Sequence, residues 1–116
     1  MSLTHRPRRL RRTESLRALV RETQLTPGDL ILPLFVAPGS GVRRPIGSMP
    51  GVAQLSVDTA VEEASAAHAE GVAGVILFGL PASKDSDGTG AWDDEGPVAV
   101  TVRALKASVP DLLVIT

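Results

Sequence analysis

Three apolar runs punctuate the chain: LILPLFV at 30–36, AGVILFGLP at 73–81 and LLVIT at 112–116. Each has the length of a β-strand, and each is almost continuously hydrophobic rather than alternating. That is the signature of strands covered on both faces of a parallel sheet. Pro33 in the first run lacks an N–H, so a paired neighbour on that side has to tolerate the gap. Between the runs the apolar positions change period. Leu16, Leu19 and Val20 recur at helical spacing after Thr13, a plausible N-cap, which predicts a short helix over 13–23. The sequence Leu25-Thr26-Pro27-Gly28 then breaks it.

A second helix is expected to start in a capping box formed by Thr59 and Glu62. It carries Val61, Ala64, Ala67 and His68 on one side and ends at Gly71. A third is expected from Pro97, whose fixed φ suits a first helical turn, to about Ser108, with Val98, Val102 and Leu105 as its apolar stripe. Residues 37–56, rich in Gly and Pro, read as irregular, and 82–96 (ASKDSDGTGAWDDEG) as a long acidic loop.

The resulting order is strand, helix, strand, helix, strand, which predicts βαβ units in an α/β fold. An open, doubly wound sheet would want a glycine-rich phosphate turn running into a helix after the first strand. The only candidate, Gly39-Ser40-Gly41, is followed by Val42-Arg43-Arg44-Pro45, so a (β/α) barrel is the better reading. Two crossover helices would lie on one side of three strands and leave roughly eight apolar side chains of the other face uncovered, each worth about 1.5–3 kcal/mol if buried. Three strands therefore look like part of a barrel, and the strand at 112–116 like one awaiting a neighbour.

Composition narrows the class. Of 116 residues 43% are hydrophobic and 22% charged, with a net charge of −1, as in a soluble globular chain. No apolar run approaches the ~20 residues of a membrane helix, and the basic start lacks the apolar core of a secretory signal. The absence of cysteine excludes intrachain disulfides and thiolate metal sites and suits the cytoplasm. Charge is unevenly spread: residues 1–44 carry nine arginines against three acids (+6), residues 45–116 three bases against ten acids (−7). Most of the excess lies in RPRRLRR at 6–12. One reading of Arg6, Arg8, Arg9, Arg11 and Arg12 is nucleic-acid binding; no aromatics interleave them, however, and the acidic remainder would repel a polyanion. The other is an arm that pairs with carboxylates on a neighbouring subunit, with Leu10 as an apolar anchor.

Candidate chemistry is sparse. Lys84 and Lys106 are the only lysines. A Schiff-base lysine must be neutral, which needs burial or a nearby cation; Lys84 instead stands beside Asp85 and Asp87. The 82–96 loop follows a strand and so belongs at the C-terminal mouth of a barrel. There Lys84, Asp85 and Trp92 are candidates for a rim or lid, against the alternative of a solvated acidic loop. Phe78 is either a pocket wall or simply core. His5 and His68 have no ligand-like spacing, and adjacent residues such as Asp93, Asp94 and Glu95 rarely converge on one cation, so no metal ligand is assigned.

Taken in order, RPRRLRR (6–12), LILPLFV (30–36), PIGSMPGV (45–52), ILFGLP (76–81), KDSDGTGAW (84–92) and DLLVIT (111–116) resemble the 5-aminolevulinate dehydratases, also called porphobilinogen synthases, along nearly the whole chain. The resemblance implies a (β/α)8 TIM barrel of about three hundred residues with an extended N-terminal arm. It implies a lyase that condenses two 5-aminolevulinate molecules to porphobilinogen, losing two waters, in tetrapyrrole (heme) biosynthesis. It further implies two Schiff-base lysines, a zinc or magnesium requirement, and homo-octamers in which the arm embraces a neighbour. On this basis residues 1–12 are the arm, 13–29 a helix and turn leading into the barrel, and 30–116 its first three strands and two crossover helices. Neither Lys84 nor Lys106 matches a catalytic lysine of the family. The chain is therefore expected to hold no catalytic residue, to bind no metal and to be inactive alone. The remaining alternatives are an arm-bearing interaction module and, behind it, a basic-tailed nucleic-acid binder.

Overall fold

The computed structural model describes residues 8–116. Arg9–Arg11 form one turn of 3-10 helix, and Arg6 and His5 lie outside the described residues. Helix α1 (Glu14–Leu19) starts at Thr13, whose Oγ1 accepts the Leu16 N–H at 3.2 Å, but it stops before 23. Arg21, Glu22, Thr23 and Gln24 are all exposed, and a helix this short has little beyond packing to extend it. A 3-10 turn at Pro27–Asp29 follows, fixed by Asp29 Oδ2, which accepts from both the backbone N–H and the hydroxyl of Thr26 at 2.8 Å. These bonds hold the Asp29 carboxyl below its ordinary range.

The core is a five-stranded sheet: β1 (Ile31–Val36), β2 (Arg43–Pro45), β3 (Ala53–Leu55), β4 (Gly74–Gly79) and β5 (Leu113–Ile115), in the order β2-β3-β1-β4-β5. β1 pairs in parallel with β3 and β4, and β4 with β5; β2 is antiparallel to β3. Helices α2 (Val57–Ala69) and α3 (Pro97–Ser108) connect β3 to β4 and β4 to β5, as the apolar runs predict.

Two local readings need correcting. The stretch 37–56 is not irregular throughout, because it contains the β2–β3 hairpin. Its three-residue strands owe their conformation to pairing, β3 with β1 and β2 with β3, rather than to their own Gly- and Pro-flanked sequence. Helix α2 is also not opened by a Thr59–Glu62 box. Ser56 is its N-cap, and Thr59, one turn in, donates instead to the carbonyls of Val42 (2.7 Å) and Ser56 (3.1 Å).

Alternation then divides the sheet into two faces. Leu34, Val36, Leu55, Val75 and Leu77 are buried together with Ala60 and Ala64 of α2 and Leu105 of α3, and Leu112 closes the end of this core. The intervening residues, Ile31, Pro33, Phe35, Ile76, Phe78, Leu113 and Ile115, lie on the face away from the helices, where Phe78 is 45% and Leu113 54% exposed. Gly79 lets α3 approach the sheet: a Cβ there would stand 2.6 Å from Val98 Cγ2.

Candidate functional site

The C-terminal ends of β1 and β4 meet the β2–β3 hairpin and the loop 80–96, and every sequence-derived candidate outside the N-terminal segment falls in this quarter. Phe78 is the penultimate residue of β4 and stacks on Phe35, ring centroids 5.4 Å apart and planes 25° from parallel. Lys84 and Asp85 line a cavity of about 880 Å³ between the loop and the start of α3, floored by Gly79, Val98 and Val102. Trp92, 69% exposed, borders a second hollow together with Pro38 and Asp85. The structure thus brings Lys84, Asp85 and Trp92 to one loop, while Phe78 belongs to the bare sheet face.

The bonds of Asp85 define what it can do. Oδ1 accepts the N–H groups of Asp87 (3.1 Å) and Thr89 (3.0 Å), and Oδ2 accepts the Thr89 hydroxyl. The Thr89 hydroxyl, then its N–H, hold the carboxyl below its ordinary range. A carboxylate so committed shapes its own loop, turning the chain through Gly88 (φ +66°) into the 3-10 turn Thr89–Ala91; it is not poised to take a proton. The acidic run beyond it disperses. Asp93 Oδ1 accepts the Glu95 N–H at 2.9 Å, and Glu95 accepts from Arg103 at 3.1 Å. Lys106 donates to the Leu112 carbonyl at 2.6 Å, tying α3 to the entrance of β5. His68 is half-buried on α2 with Nδ1 3.4 Å from the Val72 carbonyl.

Beside the mouth, the Gly39-Ser40-Gly41 turn holds an anion of its own. Asp58, in the first turn of α2, accepts from Gly41 N–H (2.7 Å), Ser40 Oγ (3.2 Å) and Ser56 Oγ, and Ser56 Oγ in turn accepts Val42 N–H at 2.8 Å. The Ser56 hydroxyl, followed by the Gly41 N–H, lowers the Asp58 carboxyl to about 2. This clamp fixes where the hairpin leaves β1.

Sequence reasoning did not find the residues the hairpin contributes. Arg44 stands opposite Gln54 on β2 and β3, and Gln54 is level with Phe35 on β1. The only advance signal was that Arg44 ends the basic half of the chain.

In the N-terminal segment, Arg8, Arg9, Arg11 and Arg12 are exposed and Leu10 is half-exposed. Arg17 donates to the Arg11 carbonyl at 3.2 Å, joining the 3-10 turn to α1. Leu19 and Leu25 are also exposed, so this segment presents leucines and arginines together.

The model of the family described as delta-aminolevulinic acid dehydratase matches residues 4–116. The chain belongs to the delta-aminolevulinic acid dehydratase family. It is 55% identical over 111 residues to the delta-aminolevulinic acid dehydratase of Synechococcus elongatus, covering 96% of this chain and 34% of that protein. It is 46% identical over 115 residues to that of Methanothermobacter thermautotrophicus, covering 97% and 35%. Among solved structures it is similar to the delta-aminolevulinic acid dehydratase (porphobilinogen synthase) of Toxoplasma gondii in complex with the reaction product porphobilinogen. The TM-score there is 0.80 and the identity 32%, over 97% of this chain and 32% of that one. The chain thus spans about a third of the length of the dehydratases it matches. Dehydratases of this family are lyases, and the α/β architecture agrees with that of the Toxoplasma enzyme. Among the described residues, no helix is long and apolar enough to cross a membrane.

Proposed function

We propose that this chain supplies the arm and the first three strands of a porphobilinogen synthase, a cytoplasmic (β/α)8-barrel enzyme that condenses two 5-aminolevulinate molecules to porphobilinogen with loss of two waters. The observation that carries the reading is a family match running along residues 4–116 in a chain whose sheet has helices on one face only. In a closed barrel the bare face becomes the packed interior, the free edge of β5 takes the next strand, and the strand C-termini form the mouth where such barrels place their chemistry. Phe78 then belongs to the pocket wall, with Lys84, Asp85 and Trp92 on the rim.

Arg6, Arg8, Arg9, Leu10, Arg11 and Arg12 are the contact set of an arm that grips a second subunit, in a homo-octamer by family likeness. The exposure of Leu10 and of the described arginines supports that role, and the net −7 of residues 45–116 gives the arm a surface of opposite sign. The same acidity disfavours a nucleic-acid partner.

The family's zinc or magnesium finds no fit in these residues. The chain has no cysteine, and among the described residues no three His, Asp or Glu side chains come together as ligands. Nor is either lysine placed for Schiff-base chemistry: Lys106 is engaged by the Leu112 carbonyl, and Lys84 is exposed on the loop. This part of the enzyme shapes, closes and assembles, and the covalent chemistry falls to the remaining two-thirds of the barrel.

The test is reconstitution. The purified chain, given 5-aminolevulinate with zinc or magnesium, is expected to form no porphobilinogen in a colorimetric assay; co-expressed with residues of the Synechococcus relative beyond the matched third, it is expected to restore turnover. Turnover by the chain alone would overturn the reading.

A further inference from the structure

The two edges of β1 are occupied unequally. Along one, β4 pairs with all of its residues, Ile31 to Val36 against Gly74 to Gly79. Along the other, β3 takes only Phe35 and Val36. In a parallel ladder the N–H and C=O of one residue address the same neighbour, and those of the next residue address the opposite edge. The Val36 carbonyl accepts the Leu80 N–H at 2.7 Å, just past β4, whereas Ala37 N–H donates to the Leu55 carbonyl of β3 at 2.8 Å. Even-numbered residues of β1 therefore face β4, and odd-numbered ones face the β3 edge. Below the hairpin, nothing among the described residues pairs with that edge. There Ile31 offers an N–H and a C=O, while Pro33 offers a C=O alone, with a ring carbon where the N–H would be.

A closed barrel needs this same edge, because its first and last strands must meet. The hairpin is firmly seated on its share. Arg43 of β2 meets Glu63 of α2 at 2.8 Å, Ser56 N–H donates to the Val42 carbonyl at 3.1 Å, and Asp58 accepts from Gly41 N–H at 2.7 Å. A last strand running parallel to β1 finds both a donor and an acceptor at Ile31. Its next inward carbonyl then meets the Pro33 ring instead of an N–H. A carbonyl buried without a donor costs more than one further hydrogen bond contributes, so pairing is favoured to stop at the proline.

We infer that Pro33 divides the outer edge of β1 between two occupants. The β2–β3 hairpin holds Phe35 and Val36; the last strand of the barrel pairs at Ile31 and is turned aside at Pro33. The hairpin then stands as a wedge between the first and last strands at the mouth, and two short ladders replace one long one along the seam. The last strand as occupant rests on the porphobilinogen synthase reading; the edge that Pro33 faces does not.

Hydrogen exchange of the reconstituted enzyme, read residue by residue by mass spectrometry, tests the division. The Ile31 amide is expected to exchange within about tenfold of the Leu32 amide, which faces β4, because both are then hydrogen-bonded. Pro33→Val supplies the missing donor and removes the ring, so the last strand should extend along β1 and displace β3. Exchange at Leu55, which faces β1, should then quicken about tenfold or more, with Leu32 unchanged. An Ile31 amide exchanging as fast as in an unstructured peptide would overturn the division, and that reading needs no variant to fold. A Leu55 amide unmoved by Pro33→Val would overturn it as well. Failure of the family reading shows separately, as absent turnover in the unsubstituted reconstituted sample.

Discussion

Alternate residues of the same strands meet opposite fates. On one face of the sheet Leu34, Val36, Val75 and Leu77 are sealed under α2 and α3; on the other, Ile31, Phe78 and Leu113 stand about half-exposed. The side chains are of the same kind, so composition cannot explain the difference. What differs is what lies above them. Two helices of 13 and 12 residues cover one face, and nothing among the described residues covers the other. Stability of the chain by itself should therefore reside almost wholly on the helix side, while the bare side holds latent burial energy that a closing barrel would collect.

The comparison can be broken most forcefully from the covered side. Leu105 is 0% exposed at the centre of the core, and Leu105→Ala is expected to cost about 2–5 kcal/mol, read as a drop in the urea midpoint at constant slope. A cost below 1 kcal/mol would mean that α3 is not seated on the sheet. Next comes Gly79→Val. With only 2.6 Å between its Cβ and Val98 Cγ2, the substitution should push α3 away and cost about 1–3 kcal/mol by overpacking, checked by thermal melting.

A bare-face change should behave in the opposite sense. Leu113→Ser is expected to shift stability by no more than about 0.5 kcal/mol and to reduce self-association in size-exclusion chromatography; a large loss would show that this face is already packed. The smallest effect is the Asp58 clamp. Its carboxyl is lowered in the folded chain to about 2, so its contribution is fully present above the ordinary aspartate range and is lost as pH falls from about 4 toward 2. Faster amide exchange at Gly41 and Val42 across that window, abolished in Asp58→Asn, is the expected reading.

How much of this was legible in the sequence depended on how local each cause is. Pro97 at the first position of α3 and Gly71 (φ +94°) just past α2 are local instructions, and both helices lie where those residues put them. The long strands were legible because apolar runs of that length have few other uses. The hairpin was not: RRP and AQL carry no strand signal and take their form from pairing with β1 and with each other. The start of α2 was ambiguous because Ser56, Asp58 and Thr59 are all capping residues, and only the fold decides that Asp58 turns outward to the β1–β2 loop. At the candidate site, Lys84, Asp85 and Trp92 were visible as a loop motif, though not that Asp85 is consumed by Thr89. The Arg44–Gln54–Phe35–Phe78 row was invisible, because it exists only through the register of four strands.

The Gly39-Ser40-Gly41 turn has the makings of a seat for a visiting phosphate, yet the seat is taken. A nucleotide arriving there would find the Gly41 amide and the Ser40 hydroxyl already committed to Asp58, and a negative charge where it needed a positive field. One aspartate thereby turns a glycine-rich loop into a fastener.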